Sequence, residues 1–211
     1  MVKTNILRVM MTSSNAKKTY HHGDLRTTLI NAALEIIENE GIDMLSLRAC
    51  ARKANVSHAA PAHHFGTITG LLDELAAEGY SLLRREMQKN KNNLTADSLL
   101  SAGTGYIRFA INHPGLFRIM AKMKTSPSPS ERLLKESDAA LEFLKCSLKQ
   151  AYLEQHGIPL SENTLTLRSE LAWCTVHGYS HLYIEGMSKK ISFKDPERIL
   201  NQLRISLLAL D

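Results

Sequence analysis

The segment Leu45–Phe65, LSLRACARKANVSHAAPAHHF, constrains the fold most strongly. Ser46 offers the side-chain oxygen of a helix N-cap, and small apolar residues follow it at helical spacing. Asn55 tolerates the left-handed conformation in which many helices end, and Ser57 offers a second N-cap soon after it. The spacing therefore predicts two short helices joined by a tight turn, with Val56 buried at the turn. A helix-turn-helix that places its second helix in the DNA major groove has this form, although any antiparallel helical hairpin shares the spacing.

The second predicted helix carries hydrogen-bond donors and small side chains. Pro61 falls in its first turn, where the missing N–H costs at most about one backbone hydrogen bond. Small residues let the backbone approach the floor of a groove, and an alanine methyl can pack on a thymine methyl. Arg48, near the start of the first helix, can reach a guanine edge or a phosphate. The candidate DNA contacts in this segment are Arg48, Ser57, His58, Ala59, Ala60, Ala62, His63 and His64.

Residues Tyr20–Glu78 resemble the N-terminal domain of the TetR family of transcriptional regulators. The resemblance is carried by Glu40-Gly41 at the end of the first helix, the LSLR start of the second, the HF pair closing the third, and Leu71-Leu72. It implies an all-α fold of about nine helices, with a three-helix DNA-binding domain followed by a helical ligand-binding and dimerising domain. It also implies a homodimer that binds a palindromic operator and is usually released by a small molecule.

The C-terminal half carries a second resemblance. Gly105–Met120, GYIRFAINHPGLFRIM, and the run at Trp173, His177 and Gly178 are similar to the WHG domain of a subset of TetR regulators. The expected divisions are a basic arm over 1–19, the helix-turn-helix domain over 20–68, and a regulatory and dimerisation domain over 69–211.

Two positions depart from the TetR pattern. Ala62 stands where the family usually has an aromatic residue, commonly tyrosine, that packs on the DNA backbone. Ile68 stands where it usually has a lysine that contacts a phosphate. Because phosphate contacts supply much of the affinity of such complexes, operator affinity and sequence preference are in question. Thr67 and Thr69, with the N–H groups that open the fourth helix, remain candidates for holding a phosphate.

Charge favours a polyanionic partner. The formal net charge of the 211 residues is +5. Residues 1–20 hold Lys3, Arg8, Lys17 and Lys18 and no acid. Such an arm can lie along phosphates or enter the minor groove, which makes Lys17 and Lys18 candidate contacts, although a leader with incidental charge is the alternative.

Composition indicates a cytoplasmic protein without a cofactor. The apolar run at 6–11 is interrupted by Arg8, and no apolar run approaches the roughly 20 residues of a membrane span. The cysteines, Cys50, Cys146 and Cys174, are odd in number and lie in apolar helical contexts. They are predicted to be buried, reduced thiols, not a disulfide or metal framework.

Apolar periodicity predicts helices along the rest of the chain. The first runs from near Asp24 to Gly41, and a long one starts at Thr69. The others are expected over 99–112, 116–123 and 131–156, from Ser161 towards Gly186, and from Pro196 onwards. The last two carry more apolar surface than one covering helix needs, which favours a four-helix dimer interface, although part of it must complete the monomer's own core.

An apolar pocket with a few polar tips, such as Tyr106 and His177, is the predicted effector site. Methionines and aromatics at helical spacing are more often plain core, and no ligand class follows from them. Ligand binding that favours one separation of the two DNA-binding domains would shift operator affinity. The candidate lining residues are Tyr106, Phe109, Phe117, Met120, Phe143, Trp173 and His177.

The leading hypothesis is a ligand-responsive dimeric regulator, a repressor. The alternative is a dimeric small-molecule-binding relative with weakened or lost specific DNA binding. A metal site is disfavoured because His58, His63 and His64, at positions i, i+5 and i+6, do not share one helix face. An enzyme is rejected because adjacent helical pairs, Ser57–His58 and Ser180–His181, point their side chains apart and lack an orienting carboxylate.

Overall fold

Nine α-helices and one short 3-10 helix make up the described part of the chain, residues 22–89, 96–187 and 196–210 of a computed structural model. These ranges contain no strand, so the all-α prediction is confirmed. The N-terminal helices are α1 (His22–Asn39), the 3-10 helix (Ile42–Met44), α2 (Leu47–Lys53) and α3 (Ala60–Phe65). The others are α4 (Ile68–Gln88), α5 (Ala96–Asn112), α6 (Pro114–Lys124), α7 (Glu131–His156), α8 (Glu162–Ile184) and α9 (Pro196–Leu207).

Helix α4 connects the N-terminal helices to the rest of the molecule. It contacts α1 and α3, and it also packs against α5, α6 and α7. Helix α5 lies close against α4 at Gly105, where an added Cβ would lie 2.4 Å from the carbonyl oxygen of Glu86. One apolar core results, which runs from Leu29 in α1 to Leu207 in α9.

Local signals set most of the helix ends as predicted. Gly41 follows α1 with φ +93°, and Gly157 ends α7 with φ +71°, both conformations that favour glycine. Ser130 and Ser161 cap α7 and α8, each accepting a hydrogen bond from the backbone N–H three residues later. Pro114 opens α6 and so separates it from α5, because proline is accommodated in the first turn of a helix.

The prediction of three buried cysteines is wrong for two of them. Cys50 is fully buried in α2, but Cys146 and Cys174 are exposed. Helix α7 turns Phe143 and Ser147 to the core, which leaves Cys146 on its solvent side. An apolar helical context is thus not enough to bury a side chain that lies outside the apolar stripe.

Cys50 is expected to resist thiol reagents in the folded protein at pH 8, while Cys146 reacts. Burial raises the pKa of the Cys50 thiol to about 11, so little nucleophilic thiolate forms and the sulfur is not accessible. Timed labelling with iodoacetamide followed by peptide mass spectrometry measures both sites. Equal labelling rates at Cys50 and Cys146 would contradict this burial, and labelling in guanidinium chloride provides the control for full reactivity.

Candidate nucleic-acid interface and internal cavity

The turn after α2 is built as the sequence predicts. Ser46 Oγ caps the helix by accepting the backbone N–H three residues later, at 3.1 Å. Asn55 has φ +53°, the left-handed conformation, and its N–H donates to the Arg52 carbonyl. The Val56 N–H donates to the Ala51 carbonyl at 3.0 Å, which completes a Schellman motif. Val56 is half-buried against the core, not fully buried.

The predicted second N-cap at Ser57 is wrong. In a helix capped there, the Ser57 carbonyl would accept the N–H of residue 61, but Pro61 has none. That carbonyl instead accepts from the Ala60 N–H at 3.1 Å, and α3 begins at Ala60. Ala59 takes the cap position without a side-chain cap hydrogen bond.

Helix α3 turns one side to the core and the other to solvent. Pro61 and Phe65 are buried, and the guanidinium of Arg26 in α1 lies 5.6 Å from the centroid of the Phe65 ring. Among the candidate DNA contacts, the exposed ones are Arg48, Ser57, His58, Ala59, Ala62, His63, Thr67 and Thr69, and the half-buried ones are Ala60 and His64. Lys17 and Lys18 lie outside the described residues.

The start of α4 lies beside this exposed side. Thr67 Oγ1 accepts the Gly70 N–H at 3.2 Å and so caps the helix, which begins at Ile68, one residue earlier than predicted. Ile68 is 38 % exposed, so an apolar side chain stands at the solvent surface where the family pattern has a lysine.

A group of ion pairs connects α1, α4 and α7. Arg26 and Arg132 both pair with Glu74, and Arg132 also pairs with Glu78 at 2.9 Å. Burial raises the pKa of Glu74, but the hydrogen bonds and charges of Arg26 and Arg132 outweigh it and hold that pKa below its usual range. Helix α1 is therefore tied to α4 and α7 as well as to its neighbours α2 and α3.

The end of α1 docks on the break between α5 and α6. The buried His113 ring contacts Glu38 through its Nδ1 atom, at 2.8 Å from the carboxylate oxygen. An added Cβ at Gly115 would lie 2.5 Å from Cγ2 of Ile37, so the two helices meet there without room for a side chain. Through these contacts the α5–α6 break packs directly on α1, the helix that also contacts α2 and α3.

A cavity lies between α5, α8 and α9, and residues of α4 and α7 complete its walls. Its volume is about 30 Å³, and its walls include Leu83, Tyr106, Leu144, Trp173, Val176 and Arg204. Of the seven residues proposed from sequence, Tyr106 and Trp173 line it. The remaining five, Phe109, Phe117, Met120, Phe143 and His177, do not line it, and all but the half-buried His177 are buried.

Tyr106 lines the cavity and forms a polar pair with His177. Its hydroxyl lies 2.9 Å from Nδ1 of His177, whose ring centroid is 5.0 Å from that of Phe117. Burial, and then the charge of His181, lowers the pKa of His177, while burial raises the pKa of Tyr106. Both groups are therefore neutral near pH 7. A His177 ring protonated on Nε2 accepts a hydrogen bond at Nδ1 from the Tyr106 hydroxyl.

Two family profiles match the chain. Residues 29–75 match "Bacterial regulatory proteins, tetR family", and residues 99–204 match "Tetracyclin repressor-like, C-terminal domain". The chain belongs to the TetR family of transcriptional regulators. It is therefore a regulator with an N-terminal DNA-binding domain and a C-terminal ligand-binding domain. The second match spans both C-terminal motifs, Gly105–Met120 and Trp173 to Gly178.

One relative and two solved structures are similar to this chain over most of its length. The uncharacterized HTH-type transcriptional regulator YobS of Bacillus subtilis (strain 168) is 27% identical over 180 residues, covering 85% of this chain and 86% of YobS. A protein of unknown function from Rhodococcus sp. RHA1 is 26% identical with a TM-score of 0.72, covering 91% of this chain and 97% of its own. The TetR family regulator PfmR from Thermus thermophilus, at 17% identity and a TM-score of 0.59 over 85% of this chain and 96% of its own, shares the fold.

Two features of this TetR regulator escaped sequence analysis. The ion pairs around Glu74 join residues far apart in the chain and leave no short motif. Arg204 is different, since it stands between Leu203 and Leu207 on the apolar stripe of α9. A charge at that position was a visible signal of something other than plain core.

Among the helices that the structure describes, none has the length and apolarity of a membrane span.

Proposed function

We propose that this TetR-family chain is a homodimeric repressor that binds a palindromic operator and is released by a small molecule. The observation that carries the proposal is the exposed side of α3. There Ala62 and His63 face solvent while Pro61 and Phe65 anchor the helix to the core. We assign 20–68 to DNA binding, 69–211 to regulation and dimerisation, and 1–19 to a basic arm along the DNA.

The proposed contacts divide by role. Side chains of α3 face base edges, while Thr67, Thr69 and the arm hold phosphates. Arg48 is exposed at the start of α2 and takes either a guanine edge or a phosphate. The half-buried His64 is a weaker candidate for base contact than the exposed His63.

Dimerisation is proposed through α8 and α9. Leu167 and Leu171 share a face of α8 at helical spacing and are 66% and 49% exposed, and Ile205 of α9 is 60% exposed. Exposed apolar residues gathered on one side of a protein typically mark an interface. A second copy with the same two helices would cover them in an isologous bundle.

Binding to the DNA upstream of the protein's own gene, compared with random duplex over a salt series, tests the proposal. We expect the upstream DNA to bind about 10³-fold or more tightly, with both affinities falling as salt rises. Equal affinities, or no binding at moderate salt, would contradict it. That outcome would favour the alternative of a regulator that has lost specific binding, for which the exposed Ala62 and Ile68 are the specific observation.

Arg48→Ala is expected to weaken binding to the upstream DNA by about 1–3 kcal/mol, the range for loss of a good base contact. Lys53→Ala is the matched control because it removes one positive charge from the same helix. Its ammonium pairs with Glu35 of α1 at 3.1 Å. Fluorescence anisotropy of both variants on one labelled duplex gives the comparison, and equal weakening in the two would show that Arg48 acts only through net charge.

A further inference from the structure

The cavity between α5, α8 and α9 is lined by apolar side chains apart from Arg204 and the polar tips of Tyr106 and Trp173. Among its described lining residues Arg204 is the charged one. Its neighbours on the same stripe of α9 are Leu200, Leu203 and Leu207, since positions i, i+3, i+4 and i+7 share a helix face. A guanidinium on an apolar wall costs free energy unless a partner satisfies it.

The Arg204 side chain has an unsatisfied donor. Its Nε atom is buried and has no hydrogen-bond partner within the described ranges. Buried polar atoms nearly always have a partner, and an unsatisfied donor on a charged group is the costlier kind. Arg168 of α8 provides the contrast. It reaches the end of α9 and donates a hydrogen bond to the Leu207 carbonyl oxygen at 2.6 Å.

We propose that Arg204 binds the acidic group of the effector, and that the effector is a carboxylic acid with an apolar body. This inference rests on the proposed ligand-responsive function of the same cavity. A carboxylate can accept two parallel hydrogen bonds from Nε and one terminal nitrogen of a guanidinium. A doubly charged phosphate is matched less well, because no second cation is among the described lining residues.

The effector has to enlarge the cavity. A volume of about 30 Å³ holds about two water molecules, since one needs roughly 10–15 Å³. Helix α9 lies close on α5 at Gly103, where an added Cβ would be 2.6 Å from Cδ2 of Leu200. An apolar chain therefore enters by displacing α9. Because α9 also carries the exposed Ile205 of the proposed dimer surface, this displacement would change the separation of the DNA-binding units.

Trp173 provides the assay, because it lines the cavity and is the single tryptophan of the chain. The full chain, without DNA, is titrated with decanoate, 1-decanol and decylamine while tryptophan emission is followed. We expect decanoate to bind about tenfold to a hundredfold more tightly than decanol, as a charge-assisted hydrogen bond allows, and decylamine to bind most weakly. Carboxylates from hexanoate to tetradecanoate are then titrated in the same way, and those that show saturable binding define the chain length that fits the cavity.

Two variants test whether Arg204 causes the preference for decanoate over decanol. Arg204→Met should bring the decanoate affinity down to that of decanol, while Arg204→Lys should keep part of the difference. Arg198→Met is the control, since it removes an exposed arginine from the same helix. If Arg204→Met does not fold by circular dichroism, the wild-type ratio and Arg204→Lys still decide the question.

Three results would overturn the proposal. They are equal affinities for decanoate and decanol, no binding of any carboxylate in the series, and an unchanged ratio in Arg204→Met. If Arg204→Met dissociates a dimer in sedimentation velocity but leaves the ratio unchanged, the partner of Arg204 is the second copy and the proposal is also overturned. Since the assay contains no DNA, its failure and a failure of operator binding are separate observations.

Discussion

Gly105→Ala is expected to lower the free energy of unfolding by about 3 kcal/mol, at the upper end of the usual cost of overpacking. The added Cβ would lie 2.4 Å from the carbonyl oxygen of Glu86 and 2.7 Å from Cα of Met87. Both are backbone atoms within α4, so no rotamer change relieves the contact and α4 and α5 must separate. Alanine's helix propensity, about 1 kcal/mol better than glycine's, offsets part of the loss.

Gly103→Ala is the matched control for this prediction. It lies two residues earlier in α5, and its added Cβ would meet Cδ2 of Leu200, the end of a flexible side chain. We expect its stability to stay within about 1 kcal/mol of the wild type, because a shift of Leu200 is roughly offset by the gain in helix propensity. Urea unfolding at one fixed protein concentration measures both variants, as stability of a dimer depends on concentration. Equal effects of the two substitutions would contradict the close approach at Gly105.

Leu171→Lys is expected to abolish dimerisation and to weaken operator binding by about 10²- to 10⁴-fold. The lysine would place a charge in the proposed interface of α8, and loss of the dimer removes the avidity of two linked DNA-binding units. Sedimentation velocity gives the oligomeric state, and anisotropy on the same sample gives the affinity.

Leu153→Lys is the control for the dimer prediction. Leu153 is a comparably exposed leucine, at 40%, but it belongs to α7, outside the two helices of the proposed interface. We expect it to leave both the oligomeric state and the operator affinity unchanged. A Leu171→Lys variant that stays dimeric would place the interface elsewhere, and a monomeric variant with full affinity would remove the link between dimerisation and DNA binding.

The features predicted correctly from sequence are those that neighbouring residues determine. The caps at Ser46 and Ser161 and the left-handed Asn55 need only a side-chain oxygen or a permitted backbone conformation. The error at Ser57 was local as well, because Pro61, four residues later, lacks the N–H that a helix from Ser57 requires.

The cavity could not be predicted in the same way. Phe109 and Trp173 occupy similar apolar positions in their helices, yet only Trp173 faces the gap under α9. Which apolar side chain borders a gap depends on the shapes of several helices packed together, and periodicity does not contain that information. The same limit explains the wrong prediction for Cys146, which is exposed although its sequence neighbours Phe143 and Leu144 are buried.

Selection of bound duplexes from a randomised DNA library tests whether the protein binds a symmetric operator as a dimer, and it needs no assumption about where the operator lies. The proposed dimer predicts enrichment of a two-fold symmetric motif whose half-sites are about one helical turn or a multiple of it apart. Arg48→Ala should reduce that enrichment, and Lys53→Ala should retain it. A pool that stays random after repeated rounds, or one that converges on a single unsymmetrical half-site, would contradict the account.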